Sequence, residues 1–231
     1  MVFPARNSEN SYMKRYILAS MTVAVMVGCW LTSVKADDIF PPPWQRGTPN
    51  TTYQGWTWPT AENPAPPDEG YYNNYGVPIS TVTGGSWTEF LNNHVGVWTL
   101  TNSGSLISFN IPNTTNANPV KDVWTQVTWL GGVSNETPVV SVVVNGHQYA
   151  SSLVESQTEG TGSWIDSAYE TVLPFNPTNE IVDVTGSLPG LNVGEVVIDT
   201  QCIPEPSSLA LLALGSLSLL PYASRKRRLA A

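Results

Sequence analysis

The sequence predicts an all-β protein, a single antiparallel β-sandwich of jelly-roll type, and three observations carry that expectation. Apolar and polar residues alternate with period two in several short runs from residue 79 onward, the pattern of strands buried on one face. Asn145-Gly146 stands between two such runs, and Asn-Gly is the favoured pair for a type I′ hairpin turn. Gly, Pro and Asn separate the runs, and between the two chain ends only Trp87–Asn92 has a spacing that would suit a helix.

Taken in order, residues 37–78 come first, with nine prolines and eight aromatics. Proline at that density opposes both helix interior and central strand, while so many rings oppose a disordered linker. The expectation is an extended arm lying over the β-domain of residues 79–203 and burying several rings. Within that domain Leu106–Ile111 sets Ile107, Phe109 and Ile111 on one face and Ser108 and Asn110 on the other. Val123–Trp129 places Val123, Val127 and Trp129 inward. Val139–Val144 and His147–Leu153 form the hairpin around Asn145-Gly146. Tyr169–Leu173, Glu180–Val184 and Glu195–Thr200 complete a set of about eight or nine strands. No internal repeat is present, which argues against a propeller or β-helix.

Charge divides the chain as sharply as pattern does. Of 18 carboxylates only Glu9 and Glu205 lie in the two ends, so residues 37–203 hold 16 of them against Arg46 and Lys121, a balance of −14. Residues 1–36 and 204–231 each carry a net +3. A nucleic-acid binder and a polybasic membrane-surface module are thereby excluded, because both need clustered Lys and Arg.

The ends read as addresses. Met13-Lys14-Arg15, the apolar run Tyr16–Leu31 and the small residues of Val34-Lys35-Ala36 predict a signal peptide over 1–36, cut after Ala36 and followed by export through the Sec pathway. Residues 1–12 take no part in it, which points to Met13 as the start. Val25–Cys29 is a rival lipobox, with Met26 and Trp30 as poor matches.

At the other end, Pro204-Glu205-Pro206 precedes the apolar stretch Leu209–Leu220, and Arg225, Lys226, Arg227 and Arg228 follow it. As a helix, the roughly 15 residues to Ala223 would rise about 22 Å, short of a comfortable bilayer span. The four cations would keep that end cytoplasmic. This order of motif, apolar helix and basic stop resembles the PEP-CTERM sorting signal of Gram-negative bacteria. The resemblance covers only the last ~26 residues, 204–231. It implies an exosortase-type transpeptidase as partner, recognition at Pro204, Glu205 and Pro206, transient residence in the inner membrane, and final placement at the cell surface or in the extracellular matrix. Members of the group are often associated with exopolysaccharide and biofilm.

Chemistry is sparse. There is no Walker A, dinucleotide glycine fingerprint, G-x-S-x-G or H-E-x-x-H. Two histidines, His94 and His147, rule out a three-His zinc site, and both read as structural. Asp166 with Glu170, or Asp68 with Glu69, would be the acid and base of a glycoside hydrolase, against solvated surface as the plainer reading. The oxygen-rich segment 68–74 suits Ca²⁺ as the one cofactor in view, again against loop solvation. Cys202, alone once the signal is removed, is a strand-end packing residue or a thiol for intermolecular pairing. Eight tryptophans follow the signal, and Trp56, Trp58 and Trp164 lie in polar, Gly-bounded settings that favour exposure to a glycan. The sequence therefore reads as an exported, non-catalytic surface or matrix protein for adhesion or exopolysaccharide. A secreted polysaccharide hydrolase or lyase with paired carboxylates is the alternative.

Overall fold

The computed structural model describes residues 38–114, 120–131, 136–160 and 163–203. The signal peptide, Ala36, Pro204–Pro206, the apolar segment and the basic run Arg225–Arg228 lie outside the described residues.

The described residues form strands β1 (Thr51–Trp56), β2 (Tyr71–Tyr72), β3 (Ile79–Thr83), β4 (Gly85–Leu91), β5 (His94–Leu100), β6 (Leu106–Pro112), β7 (Val120–Leu130), β8 (Pro138–Val144), β9 (His147–Ala150), β10 (Ser152–Thr158), β11 (Ile165–Leu173), β12 (Asn179–Gly186) and β13 (Leu191–Ile203). The large sheet runs β10-β11-β7-β13-β1-β2, and β5, with β4 beyond it, pairs with the first residues of β13. The small sheet runs β3-β6-β12-β8-β9. Every pairing is antiparallel, and from β5 to β13 the chain passes repeatedly from one sheet to the other, which gives the jelly-roll-like sandwich the sequence predicts.

Alternation fills the space between the sheets. Ile107, Phe109 and Ile111 of β6 are fully buried, as are Val182 and Val184 of β12 and Val142 of β8. They face Val123, Val127 and Trp129 of β7 and Val196 and Ile198 of β13 in one core. Burying side chains of this size stabilises by about 1.5–3 kcal/mol each relative to exposure. At Asn145-Gly146 both residues have positive φ, +52° and +80°, as a type I′ turn requires.

Three elements depart most from the expectation, and the expected strand His147–Leu153 also divides, into β9, which ends at Ala150, and β10 of the large sheet, which holds Leu153. Trp87–Asn92 is no helix: Gly85–Leu91 is a strand, with Trp87 opposite Trp98 on β5. Thr51–Trp56, inside the proline-rich region, is a strand paired along its whole length with β13. Its inward Thr52 and Gln54 replace apolar contacts with hydrogen bonds, between the Thr52 and Thr200 hydroxyls at 2.8 Å and from Gln54 Nε2 to the Ile198 carbonyl at 2.7 Å. The third is β13, which extends well beyond Glu195–Thr200 and carries a bulge between Val193 and Glu195 that shifts the inward set from Leu191 and Val193 to Val196 and Ile198.

Beyond β1 the chain turns back over the core, and a close backbone approach fixes the turn. A Cβ on Gly96 would lie 2.0 Å from the Trp58 carbonyl oxygen and 2.3 Å from that of Thr57, so only glycine fits. Asp68 accepts hydrogen bonds from the Thr57 and Trp58 amides at 2.8 and 2.9 Å and from the Thr57 hydroxyl at 2.7 Å.

Candidate functional site

The outer face of the large sheet carries the site. Its register sets Gln126 beside Ala168 and Val197, and Trp124 beside Glu170 and Asp199. Residues 38–46 cross this face and are pinned to it. The Phe40 amide donates to Gln126 Oε1 at 3.0 Å, Trp124 Nε1 donates to the Phe40 carbonyl at 2.8 Å, and Gln126 Nε2 donates to Asp38 at 2.5 Å. Phe40 packs with Trp124 and Ala168, flanked by Ile39 and Trp44. At the far end of the segment Arg46 forks onto Asp199, with Nε to Oδ1 and Nη2 to Oδ2 both at 2.5 Å, and also pairs with Asp38. Its guanidinium lies 4.2 Å from the centre of the Tyr53 ring. Burial works against the charged guanidinium, but the hydrogen bonds to Asp199 and Asp38 outweigh it and hold its pKa above the usual arginine value.

Between this pinned segment and the β10 edge lies an open groove of about 570 Å³. Ile39, Phe40, Pro41 and Pro43 form one wall, Val154, Glu155, Gln157 and Glu170 form the other, and Trp124 lies at its base. Every residue of β10 is exposed, and a bulge between Leu153 and Glu155 interrupts its pairing with β11. Such a bulge weakens an edge as a template for adventitious strand pairing. One apolar wall facing a second that carries carboxylate and amide groups suits a ligand that has both apolar faces and hydroxyls.

Behind the groove, the Asp122 carboxyl interacts with Glu170. Burial first, then the neighbouring Glu170 carboxylate, push the Asp122 carboxyl up to about 7, against the pull of the Val123 amide. A carboxyl raised from 3.8 to about 7 holds its proton more tightly folded than unfolded. Its contribution is therefore fully favourable below about pH 4 and is lost as pH rises through 7. Asp122→Asn is expected to leave stability unchanged at pH 4 and to raise it at pH 8.5 by about 1–2 kcal/mol after allowance for solvent screening. Thermal melts at the two pH values check this, and an equal gain at both would contradict it.

The tryptophans expected to be exposed are not. Trp56, Trp58 and Trp164 are only 0, 1 and 2% exposed. Each indole N–H finds an internal acceptor: the Ala65 carbonyl at 3.2 Å, Ser80 Oγ at 3.2 Å and the Asn92 carbonyl at 2.9 Å. With ring and polar tip both satisfied inside the domain, none presents a face to a ligand. Among the described residues the exposed aromatic rings are instead Tyr71, Tyr72, Tyr75 and Phe90. The cluster Tyr71-Tyr72-Asn73-Asn74-Tyr75 between Gly70 and Gly76 was the available signal, since adjacent tyrosines on a strand must point to opposite faces.

The carboxylate pairs also separate. Asp166 and Glu170 share one strand face four residues apart, about 13 Å along β11 at ordinary strand rise, and Asp166 accepts from Thr128 at 2.7 Å. In the segment considered for Ca²⁺, Asp68 accepts from the Thr57 and Trp58 amides, and Asn73 donates from Nδ2 to the Pro112 carbonyl and accepts at Oδ1 from the Tyr75 amide. His94 Nε2 lies 2.7 Å from Glu159, its ring 4.1 Å from that of Trp164. Cys202 is buried at the end of β13 with Sγ 3.1 Å from Asn176 Oδ1, so of its two readings packing is the one the structure shows.

Outside this domain the decisive match is local: residues 203–228 fit the family model for the PEP-CTERM protein-sorting motif. The chain carries a PEP-CTERM sorting motif. Comparison with curated proteins gives no match. Similar solved structures include a family 35 carbohydrate binding module from Clostridium thermocellum, at 16% identity over 52% of this chain and 96% of that one, TM-score 0.38. CBM35 from Cellvibrio japonicus Abf62 aligns at 18% identity over 51% and 82%, TM-score 0.36. The C-terminal CBM6 of LamC from Zobellia galactanivorans aligns at 12% over 52% and 98%, TM-score 0.36. A likeness at this level carries over neither ligand nor residue to the PEP-CTERM chain.

Proposed function

We propose that this PEP-CTERM protein is exported, passes through the inner membrane on its sorting segment to an exosortase-type enzyme, and works at the cell surface or in the matrix as a non-catalytic polysaccharide-binding module. The observation that carries the binding reading is the pinned groove. Its wall of Ile39–Pro43 is fixed by hydrogen bonds to Gln126 and Trp124, so little ordering entropy remains to be lost when a ligand enters. Ile39, Pro41, Pro43 and Val154 offer apolar surface to pyranose faces, while Glu155, Gln157 and Glu170 offer hydrogen-bond partners to hydroxyls.

The Asp122–Glu170 pair favours binding over hydrolysis. Glycoside hydrolysis needs two carboxyl groups flanking the scissile bond at roughly 5–10 Å. Asp122 and Glu170 interact directly with each other, closer than a pair flanking a sugar linkage would stand.

Titration of the full-length chain with polysaccharide purified from its own source tests this reading. The double substitution Val154→Ala with Gln157→Ala is expected to weaken binding about tenfold, or 1.4 kcal/mol, with an unchanged melting temperature. Undiminished affinity in that variant would remove the groove from consideration.

A further inference from the structure

Resting on the reading of the groove as a glycan site, we infer that it selects uncharged glycans and turns acidic ones away. Residues 37–203 contain two basic side chains, and the structure uses both internally. The Lys121 side chain is 0% exposed and pairs with Glu180 at 2.7 Å. Arg46 is occupied by Asp199, Asp38 and the face of Tyr53. Among the described residues no Lys or Arg remains to meet an incoming anion. Of the imidazoles, His94 is engaged by Glu159, and His147 stands at the start of β9 in the opposite sheet.

Recognition of a uronate or sulfate draws on an arginine fork or a lysine point charge, and neither is available. The groove instead presents Glu155 and Glu170, with the Asp122 carboxyl interacting with Glu170 from behind. An acidic sugar seated there would bring its carboxylate toward these groups, well inside the ~8 Å over which charges act at physiological ionic strength. Gln157 is the amide donor available on that wall. Ionised carboxylates only accept hydrogen bonds, and the hydroxyls of a neutral sugar are the donors they need. The exclusion is thus built from the same groups that make the groove a good acceptor surface for hydroxyls.

The test titrates the full-length chain with neutral hexasaccharides of glucose, xylose, mannose and galactose, and with hexamers of galacturonate and mannuronate, at 50 and 500 mM NaCl. At least one neutral hexamer is expected to bind, with every acidic hexamer at least tenfold weaker at 50 mM NaCl and the gap narrowing at 500 mM as repulsion is screened. Replacing Glu155 and Glu170 together by Gln is expected to improve acidic binding several-fold while neutral binding holds or falls. An acidic hexamer matching the best neutral one at low salt, or acidic binding indifferent to the double substitution, overturns the selectivity while leaving the groove reading in place. No binding of either class overturns the groove reading and the selectivity with it.

Discussion

Replacing Lys121 by Met is expected to destabilise the domain by about 3–5 kcal/mol at pH 7.5, the usual cost of stripping one partner from a fully buried ion pair. Lys121 and Glu180 face each other across the two sheets with both side chains 0% exposed. Burial raises the pKa of Glu180, while Lys121 and Asn113 oppose that rise. Around the pair, Asn113 Nδ2 donates to the Asn176 side chain at 2.7 Å and to the Pro177 carbonyl at 2.9 Å, so this end of the core is a connected polar cluster. Without the ammonium, Glu180 must either stay charged in the interior with no counter-charge or take a proton. A carboxyl whose folded pKa is raised contributes stability that is present below its unfolded value, near 4.5, and is lost as pH rises through the folded one. The deficit of the variant should therefore be greatest at neutral pH and shrink toward pH 4. Melting temperature should fall by about 10 °C at pH 7.5. Adding Glu180→Leu to the variant should recover most of the loss, because a neutral, well-packed pair often matches a buried ion pair. A lone Lys121→Met that melts within a degree or two of the parent, or a loss that does not depend on pH, would show that the pair is not coupled as described.

The sandwich was legible where alternation met apolar residues without interruption. Ile107, Phe109 and Ile111 declare β6, and Asn145-Gly146 declares the β8–β9 turn, because period-two burial and positive φ have direct sequence correlates. β1 was hidden because two of its three inward residues, Thr52 and Gln54, hydrogen-bond to Thr200 and Ile198 of β13, which leaves Trp56 as the one apolar residue on that face. β4 was hidden because its side chains are mostly exposed and its strand state comes from pairing with β5 rather than from burial. The bulge near Gly194 breaks the period of β13 at the point where its inward set changes register. Reading exposure from neighbours failed for Trp56, Trp58 and Trp164 because polar and glycine neighbours describe the backbone setting, whereas burial was decided by distant acceptors such as Ser80 and Asn92. The groove is less legible still. Its two walls are more than a hundred residues apart in the chain, and only the crossing of the 38–46 segment over β7 and β13 brings them together.

That crossing depends on Arg46, and Arg46→Ala is expected to cost about 3–5 kcal/mol at pH 7.5 while loosening the groove. The Asp199 side chain is 0% exposed, and Arg46 is the counter-charge that reaches it. Burial raises the Asp199 carboxyl to about 6 even with Arg46 pulling it down, so the raised pKa already makes the folded state less stable as pH climbs from about 4 through 6. Removing the guanidinium takes away the lowering influence and leaves the penalty of a buried, uncompensated carboxylate. The loss should be largest above pH 7 and small near pH 4, where Asp199 is neutral in both proteins. Asp38 loses a partner in the same step, and the remaining ties of the segment to the sheet are those of Phe40 and of Asp38 itself to Gln126 and Trp124. Cleavage by a protease within residues 38–46 should accelerate, and glycan affinity should fall more than for Arg46→Lys. Lysine restores a charge beside Asp199 but not the two-point fork, so that variant should lie between parent and alanine in both stability and binding. If Arg46→Ala lowered the melting temperature but left segment cleavage and groove affinity at parental values, the arginine would be holding only Asp199, and the hydrogen bonds around Phe40 would by themselves be sufficient to hold the groove wall in place.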